Sequence, residues 1–222
     1  MIRHRRIKCF GAGESDVEQR LPDLIRRGRT PLVGITVHEA TITLRVTAAA
    51  ATEAECFAQM EPTLATIREC LGSLVFGAEG DELEHAVLRA LGQRGQTLAT
   101  CEQGLGGRLA TWLTAAAEEL GEPAAEVFRG GLQHGPSSQS AASRDAVAEA
   151  AEAVRTQFAA DYGLAALVVP AETNDAPPVL HIALARAGQT IKAEHPFIGQ
   201  SAILKPRGAK QALDFLRHKL DG

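Results

Sequence analysis

Aromatic residues are scarce in this chain: one Trp, one Tyr and seven Phe make up 4% of 222 residues. So thin a supply offers no platform for stacked bases, which argues against single-stranded nucleic acid as a partner. Long apolar runs are missing too. No stretch is long enough to cross a bilayer, and the opening MIRHRRIKCF has no apolar segment behind its charges. Neither a membrane partner nor a signal peptide is expected, and a cytoplasmic location is. The four cysteines, Cys9, Cys56, Cys70 and Cys101, form no C-x-x-C pair and have no histidine at ligand spacing. That excludes the common zinc and dithiol motifs. Buried free thiols in a reducing compartment are expected, and Cys56 and Cys70, fourteen positions apart, fall on one helix face. Internal repeats and low-complexity tails are also lacking, and nothing calls for a metal or a cofactor.

What remains is ordinary globular composition, with 45% apolar and 23% charged residues. The net charge of −4 argues against a general nucleic-acid binder, although residues 1–30 carry eight Arg/Lys against four Asp/Glu. That local excess reads as a solvated face.

Hydrophobic periodicity divides the chain into two α/β units. Residues 1–77 read β-α-β-β-α. Arg3 to Phe10 is a strand, and Ser15 with Glu18 forms a capping box for a helix lined by Val17, Leu21, Leu24 and Ile25, ended by Gly28 and Pro31. Leu32 to Val37 and Thr41 to Thr47 form a hairpin through Glu39 and Ala40, with Ile42, Leu44 and Val46 inward. A long helix follows on Phe57, Met60, Leu64, Ile67 and Leu71, kinked or divided by Pro62 and stopped by Gly72. These elements predict a small α/β sandwich with helices on one sheet face.

Residues 78–222 read as a three-layer α/β/α domain. Asp81 with Glu84 starts a helix stopped by Gly92, and a strand, a turn and a helix ending at Gly121 come next. Residues 129–143 look like a loop, with Ser143 capping the helix of Val147, Ala151, Val154 and Phe158. Leu164 to Val169 is a central buried strand, Val179–Ala185 and Thr190–Phe197 flank a turn at Ala187 and Gly188, and Pro206 opens a last helix.

The most informative stretch is QTLATCEQGLGG, from Gln96 to Gly107. An apolar strand ends in Glu102 and Gln103, then three glycines, Gly104, Gly106 and Gly107, lead into a helix. A strand feeding a Gly-rich turn at a helix start makes an anion cradle, because glycines let the backbone approach a ligand and free N–H groups point at it. An acyl-transfer site needs Ser or Cys at the apex of such a turn. Here the apex is Gln103, whose neutral amide is no nucleophile.

On these residues the second unit resembles the C-terminal domain of the competence/damage-inducible protein A (CinA) family, whose active members are nicotinamide-nucleotide amidases. TLATCEQGLGG is similar to the family's TLATAESCTGG at Thr97 to Thr100, Glu102, Gly106 and Gly107. The first unit resembles the KH-type module that precedes that domain, through CFGAGESDVEQRL and the junction LGSLVFG. Family members carry a further, molybdopterin-binding-like domain ahead of this module, while this chain begins on the module's first strand.

The resemblance implies an amidase fold without its chemistry. The family's nucleophilic Ser falls on Gln103 and its next Thr on Leu105. Gly130 and Gly131 are kept, but the Tyr and Lys that follow them in the family are absent from LQHGPSSQSAAS. The ITGIAGP loop corresponds to Val168, Val169 and PAETNDAPP. The family's Arg pair near the last helix falls on Ser201 and Lys205, beside a retained Gly199. The expectation is a degenerate amidase domain acting as a structural or nucleotide-binding module in a homo-oligomer such as a dimer. Its ligand would be a pyridine nucleotide or small anion, held by Glu102, Gly104, Gly106, Gly107, Gly130, Gly131 and Lys205. The alternative is a working amidase with a rearranged site.

A Cys101–His134 dyad is the rival nucleophile, and Cys101 is expected to pack in the sheet with His134 solvated. Ser137, Ser138 and Ser140 are the hydroxyl cluster near the presumed pocket, and they read as solvent-facing. Glu102 is expected to hold the turn by accepting backbone N–H groups. His181 and His195 read as packed strand residues. A GxxG phosphate clamp is absent from the first unit, so RNA binding is not expected.

Overall fold

The computed structural model describes residues 1–21, 23–26, 28–135, 144–170 and 176–220. It divides into two compact units, Met1–Leu83 and Glu84–Gly222.

The first unit contains β1 (Ile2–Cys9), α1 (Glu14–Arg20), β2 (Leu32–His38), β3 (Thr41–Ala49), α2 (Glu53–Leu71) and β4 (Val75–Ala78). The sheet order is β2-β3-β1-β4, antiparallel throughout. Ile42, Leu44 and Val46 point inward as the alternation requires, meeting Ile7 and Cys9 beside them and Cys56, Met60, Leu64 and Ile67 of α2. The hairpin is a two-residue connection in which Glu39 and Ala40 both take positive φ, at 45° and 66°. Primed turns of this kind match the twist of the strands they join.

Several local expectations are overturned here. Gly13, not Ser15, caps α1. The Asp16 carboxylate, not Glu18, accepts the Gly13 N–H at 3.2 Å. The helix stops at Arg20 rather than near Gly28, because Leu21 precedes Pro22 and that position is biased away from helix. Pro62 does not divide α2. Buried Met60, Thr63, Leu64 and Ile67 anchor the helix on both sides of it, and this burial outweighs the lost hydrogen bond. Cys70 is exposed while Cys56 is buried, so the two thiols do not share an environment, though all four cysteines are free. The junction segment is β4, which completes the sheet.

The second unit contains α3 (Leu83–Gln93), β5 (Leu98–Gln103), α4 (Arg108–Leu120), β6 (Phe128–His134), α5 (Arg144–Gln157), β7 (Tyr162–Val169), β8 (Val179–Arg186), β9 (Gln189–Pro196) and α6 (Ser201–Leu220). The sheet order is β6-β5-β7-β8-β9. The β6-β5-β7 pairs are parallel and the β7-β8-β9 pairs antiparallel. Helix α5 covers one face, packing Val147, Ala151 and Val154 on Ala99, Cys101, Ala165 and Ala183. Helices α4 and α6 cover the other, which gives the three layers. As expected, β7 is the central strand and its first six residues are buried.

The Asp81 carboxylate accepts the Ala78 N–H at 2.9 Å, and α3 runs through Gly92 rather than stopping there. Residues 128–134 are not loop but the edge strand β6. Helix α6 starts at Ser201, with the Gln200 carbonyl taking the first N–H groups, so Pro206 lies inside it. Ser143, expected to cap α5, lies outside the described residues.

Candidate functional site

Strand β5 is buried along its whole length and delivers the chain into the Gly-rich turn. Gly104, Gly106 and Gly107 all take positive φ, at 82°, 78° and 78°. A Cβ on Gly104 would stand 2.7 Å from Val168 Cβ, so β7 crosses too close for any side chain there. Gly107 is the N-cap of α4 and supplies no side-chain oxygen.

The missing cap is provided by Glu102. Its side chain is fully buried on the α4 face of the sheet, and Oε1 accepts the Ala110 N–H at 3.2 Å. Burial pushes the carboxyl above its ordinary pKa, while the N–H groups of Ala110, Leu109, Arg108 and Gly107 pull it back down. Oε2 has no hydrogen-bond partner among the described residues. The first turn of α4, which the sequence offers to a ligand, is therefore engaged by the protein's own carboxylate.

Strand alternation turns Gln103 away from Glu102 and onto the same side as Cys101. Gln103 is 9% exposed and pairs in register with Leu167 on one side and His134 on the other. His134 is the last residue of β6, not a loop residue, and it is half-buried. Its Nε2 lies 4.0 Å from Cys101 Sγ, so the rival pair does come together. The thiol is poorly activated, however. Burial, reinforced by the Glu102 carboxylate, raises its pKa to about 11, which keeps it protonated at neutral pH.

Gly130 and Gly131 sit at close seams in the packing. A Cβ on Gly130 would stand 2.6 Å from the Phe158 ring, and one on Gly131 would stand 2.5 Å from Thr100 Oγ1 and 3.1 Å from Ala110 Cβ. Leu105 is fully buried, with its Cδ2 against the backbone of Gly208 in α6. Ser137, Ser138, Ser140 and residues 171–175 lie outside the described residues.

Two cations stand at the turn. Lys205 of α6 brings Nζ to 3.9 Å from where a Gly106 Cβ would sit, and Arg108 brings Nη1 to 3.0 Å of the same point. The Arg108 guanidinium is steadied by donating to the Leu105 carbonyl at 2.9 Å. Gln133 of β6 places Oε1 2.7 Å from the corresponding point on Gly107. Arg108 and Gln133 were not singled out from the sequence. The signal for Arg108 was its place just after the last glycine of the turn. Gln133 has none, since FRGGLQH has the composition of a loop.

His181 does have a carboxylate beside it, with Nδ1 3.5 Å from Glu194 Oε1 across the β8–β9 pair. Burial holds the His195 pKa below its ordinary value, opposed by Asp214. Among the described residues no group of three or more His, Cys, Asp or Glu side chains is placed to hold a metal. No described helix is long and apolar enough to cross a membrane.

Comparison with known proteins agrees with this architecture. Residues 4–77 match the damage-inducible protein CinA KH domain. A competence-damage inducible protein of Caldanaerobacter subterraneus is 30% identical over 235 residues, covering 100% of this chain and 57% of the relative. A CinA-like protein of Frankia casuarinae is 32% identical over 244 residues, covering 100% of this chain and 55% of the relative. The chain thus spans little more than half the length of these relatives. A CinA superfamily crystal structure from Klebsiella pneumoniae superposes with a TM-score of 0.51 at 24% identity, covering 63% of this chain and 96% of that one, which is a likeness of fold. The N-terminal match and the alignments along the whole of this chain agree: the chain belongs to the competence/damage-inducible (CinA) family.

Proposed function

We propose that residues 78–222 form an amidase-like domain that has lost hydrolysis and serves as a binding module for a small anion or pyridine nucleotide, behind a KH-like module at residues 1–77. The observation that carries this reading is Gln103. The position from which an acyl-transfer nucleophile would attack holds a nearly buried carboxamide, which forms no acyl-enzyme. Residues of a catalytic unit fail together, so loss of the nucleophile alone removes most of the rate.

With Glu102 engaged at the start of α4, an anion would find its charge partners at Arg108 and Lys205, over Gly106. Incubation with nicotinamide mononucleotide should release no ammonia above background. The same nucleotide should raise the melting temperature saturably, with affinity falling about tenfold or more in Lys205→Met and Arg108→Met. Ammonia release at a rate ordinary for amidases would refute the reading.

One observation favours the alternative, a working amidase with a rearranged site: the 4.0 Å approach of Cys101 Sγ to His134 Nε2. On that reading Cys101→Ala abolishes ammonia release while leaving nucleotide binding intact.

A further inference from the structure

The opposite end of the second sheet carries a separate cleft. Tyr162 pairs with Leu98 at the start of β5, five residues before Gln103. At the rise of an extended strand this places it ~17 Å from the glycine turn. The cleft has a volume of about 340 Å³, within the range of small-molecule sites. Its apolar lining comes from Tyr162, Leu184 and Ile191, and its polar lining includes Arg186, His218 and Lys219. A shallower recess of about 640 Å³ adjoins it and shares Tyr162 and Arg186.

The charges here are unbalanced. Arg186 donates Nε and Nη2 to a neutral acceptor, Gln189 Oε1, at 2.9 and 2.5 Å. This fixes the guanidinium and leaves it charged without a carboxylate partner among the described residues. Lys219 has its Nζ 5.7 Å from the Phe215 ring centroid and no described carboxylate paired with it. Two nearby described acids are occupied elsewhere. Asp161 takes the N–H and hydroxyl of Thr97, both at 2.8 Å, and Asp214 takes Arg217 at 2.7 Å and His218 at 3.5 Å. A held arginine with no counter-ion among the described residues, beside an apolar wall, suits a ligand with both a negative charge and an apolar body.

We infer that this cleft binds a small organic carboxylate, with its charged group against Arg186 and Lys219 and its body on Tyr162, Leu184 and Ile191. This site is independent of the glycine turn. The probe is benzoate, titrated into the isotope-labelled full chain at low salt and followed by amide chemical shifts. Benzyl alcohol serves as the neutral counterpart and inorganic phosphate as the bare anion.

Saturable shifts at Ala187, Gly188 and Ile191 are expected. Their affinity should drop at least fivefold in Arg186→Gln and in Lys219→Gln, and hold in Lys205→Met. Both substituted side chains are exposed, and Trp112 emission checks that each variant is folded. Benzyl alcohol should bind at least tenfold more weakly, and phosphate should produce smaller shifts. The inference is overturned if benzoate perturbs only the Gly104–Gly107 turn or nothing, if both variants bind as the parent does, or if the alcohol binds equally well.

Discussion

A thiol 4.0 Å from an imidazole is a reactive pair only if the sulfur can ionise, and at Cys101 it does not at neutral pH. Burial is the larger cause and the neighbouring Glu102 carboxylate the smaller. Cys9 is pushed further, to about 12, by burial alone. Of the four free thiols only Cys70 is exposed. A native-state thiol titration with a disulfide reagent at pH 8 should therefore count one fast thiol, and four after denaturation. These thiols ionise at about 8.5 when unfolded, so stability is intact below that value and declines as pH climbs toward 11 to 12. Chemical denaturation midpoints at pH 8 and pH 10.5 should differ in that direction, and Cys9→Ser with Cys101→Ala should flatten the difference. At this scale the sequence was informative about what occupies the apex, because Gln103 is visible in the string. It was silent on Arg108 and Gln133, whose roles depend on how α4 and β6 meet.

Among the elements, the two-residue hairpin between β2 and β3 is notable for what it lacks. Both of its turn residues take positive φ, yet neither is glycine. Left-handed backbone costs an L-residue roughly 1–2 kcal/mol, so Ala40→Gly should stabilise the first unit by about 1 kcal/mol in a thermal melt. The hairpin was legible because Ile42, Leu44 and Val46 alternate strictly on one side of it. Strand β6 was not. FRGGLQH reads as a loop by composition, but its glycines are there because Phe158 and Thr100 press against the backbone. Strand β4 escaped detection through brevity, at four residues. The start of α6 was hidden by Pro206, which propensity makes a helix opener and which here sits in the second turn.

For the whole molecule, two hydrophobic clusters matter, one centred on Leu44 and Met60 and the other on Ala151 and Ala165. Each unit carries its own core, the usual condition for folding as a domain. The chain's one Trp and one Tyr, Trp112 and Tyr162, both lie in the second unit. Tryptophan emission therefore reports that unit alone, while far-ultraviolet circular dichroism reports both. Leu44→Ala should cost the first unit about 2–5 kcal/mol. The dichroism transition should then split or move to lower denaturant, with the emission midpoint unchanged; equal displacement of both signals would mean one cooperative block. The division into two α/β units was legible from periodicity, since long amphipathic segments alternate with short apolar ones.

The carboxylate of Glu102 acts as a bolt between β5 and α4, because it is anchored in the strand and clasps the opening coil of the helix. A hinge fastened in this way keeps its form whether vacant or filled. On the proposed reading, a guest arriving above Gly106 meets a seat that is already set, so little entropy is lost in moulding it.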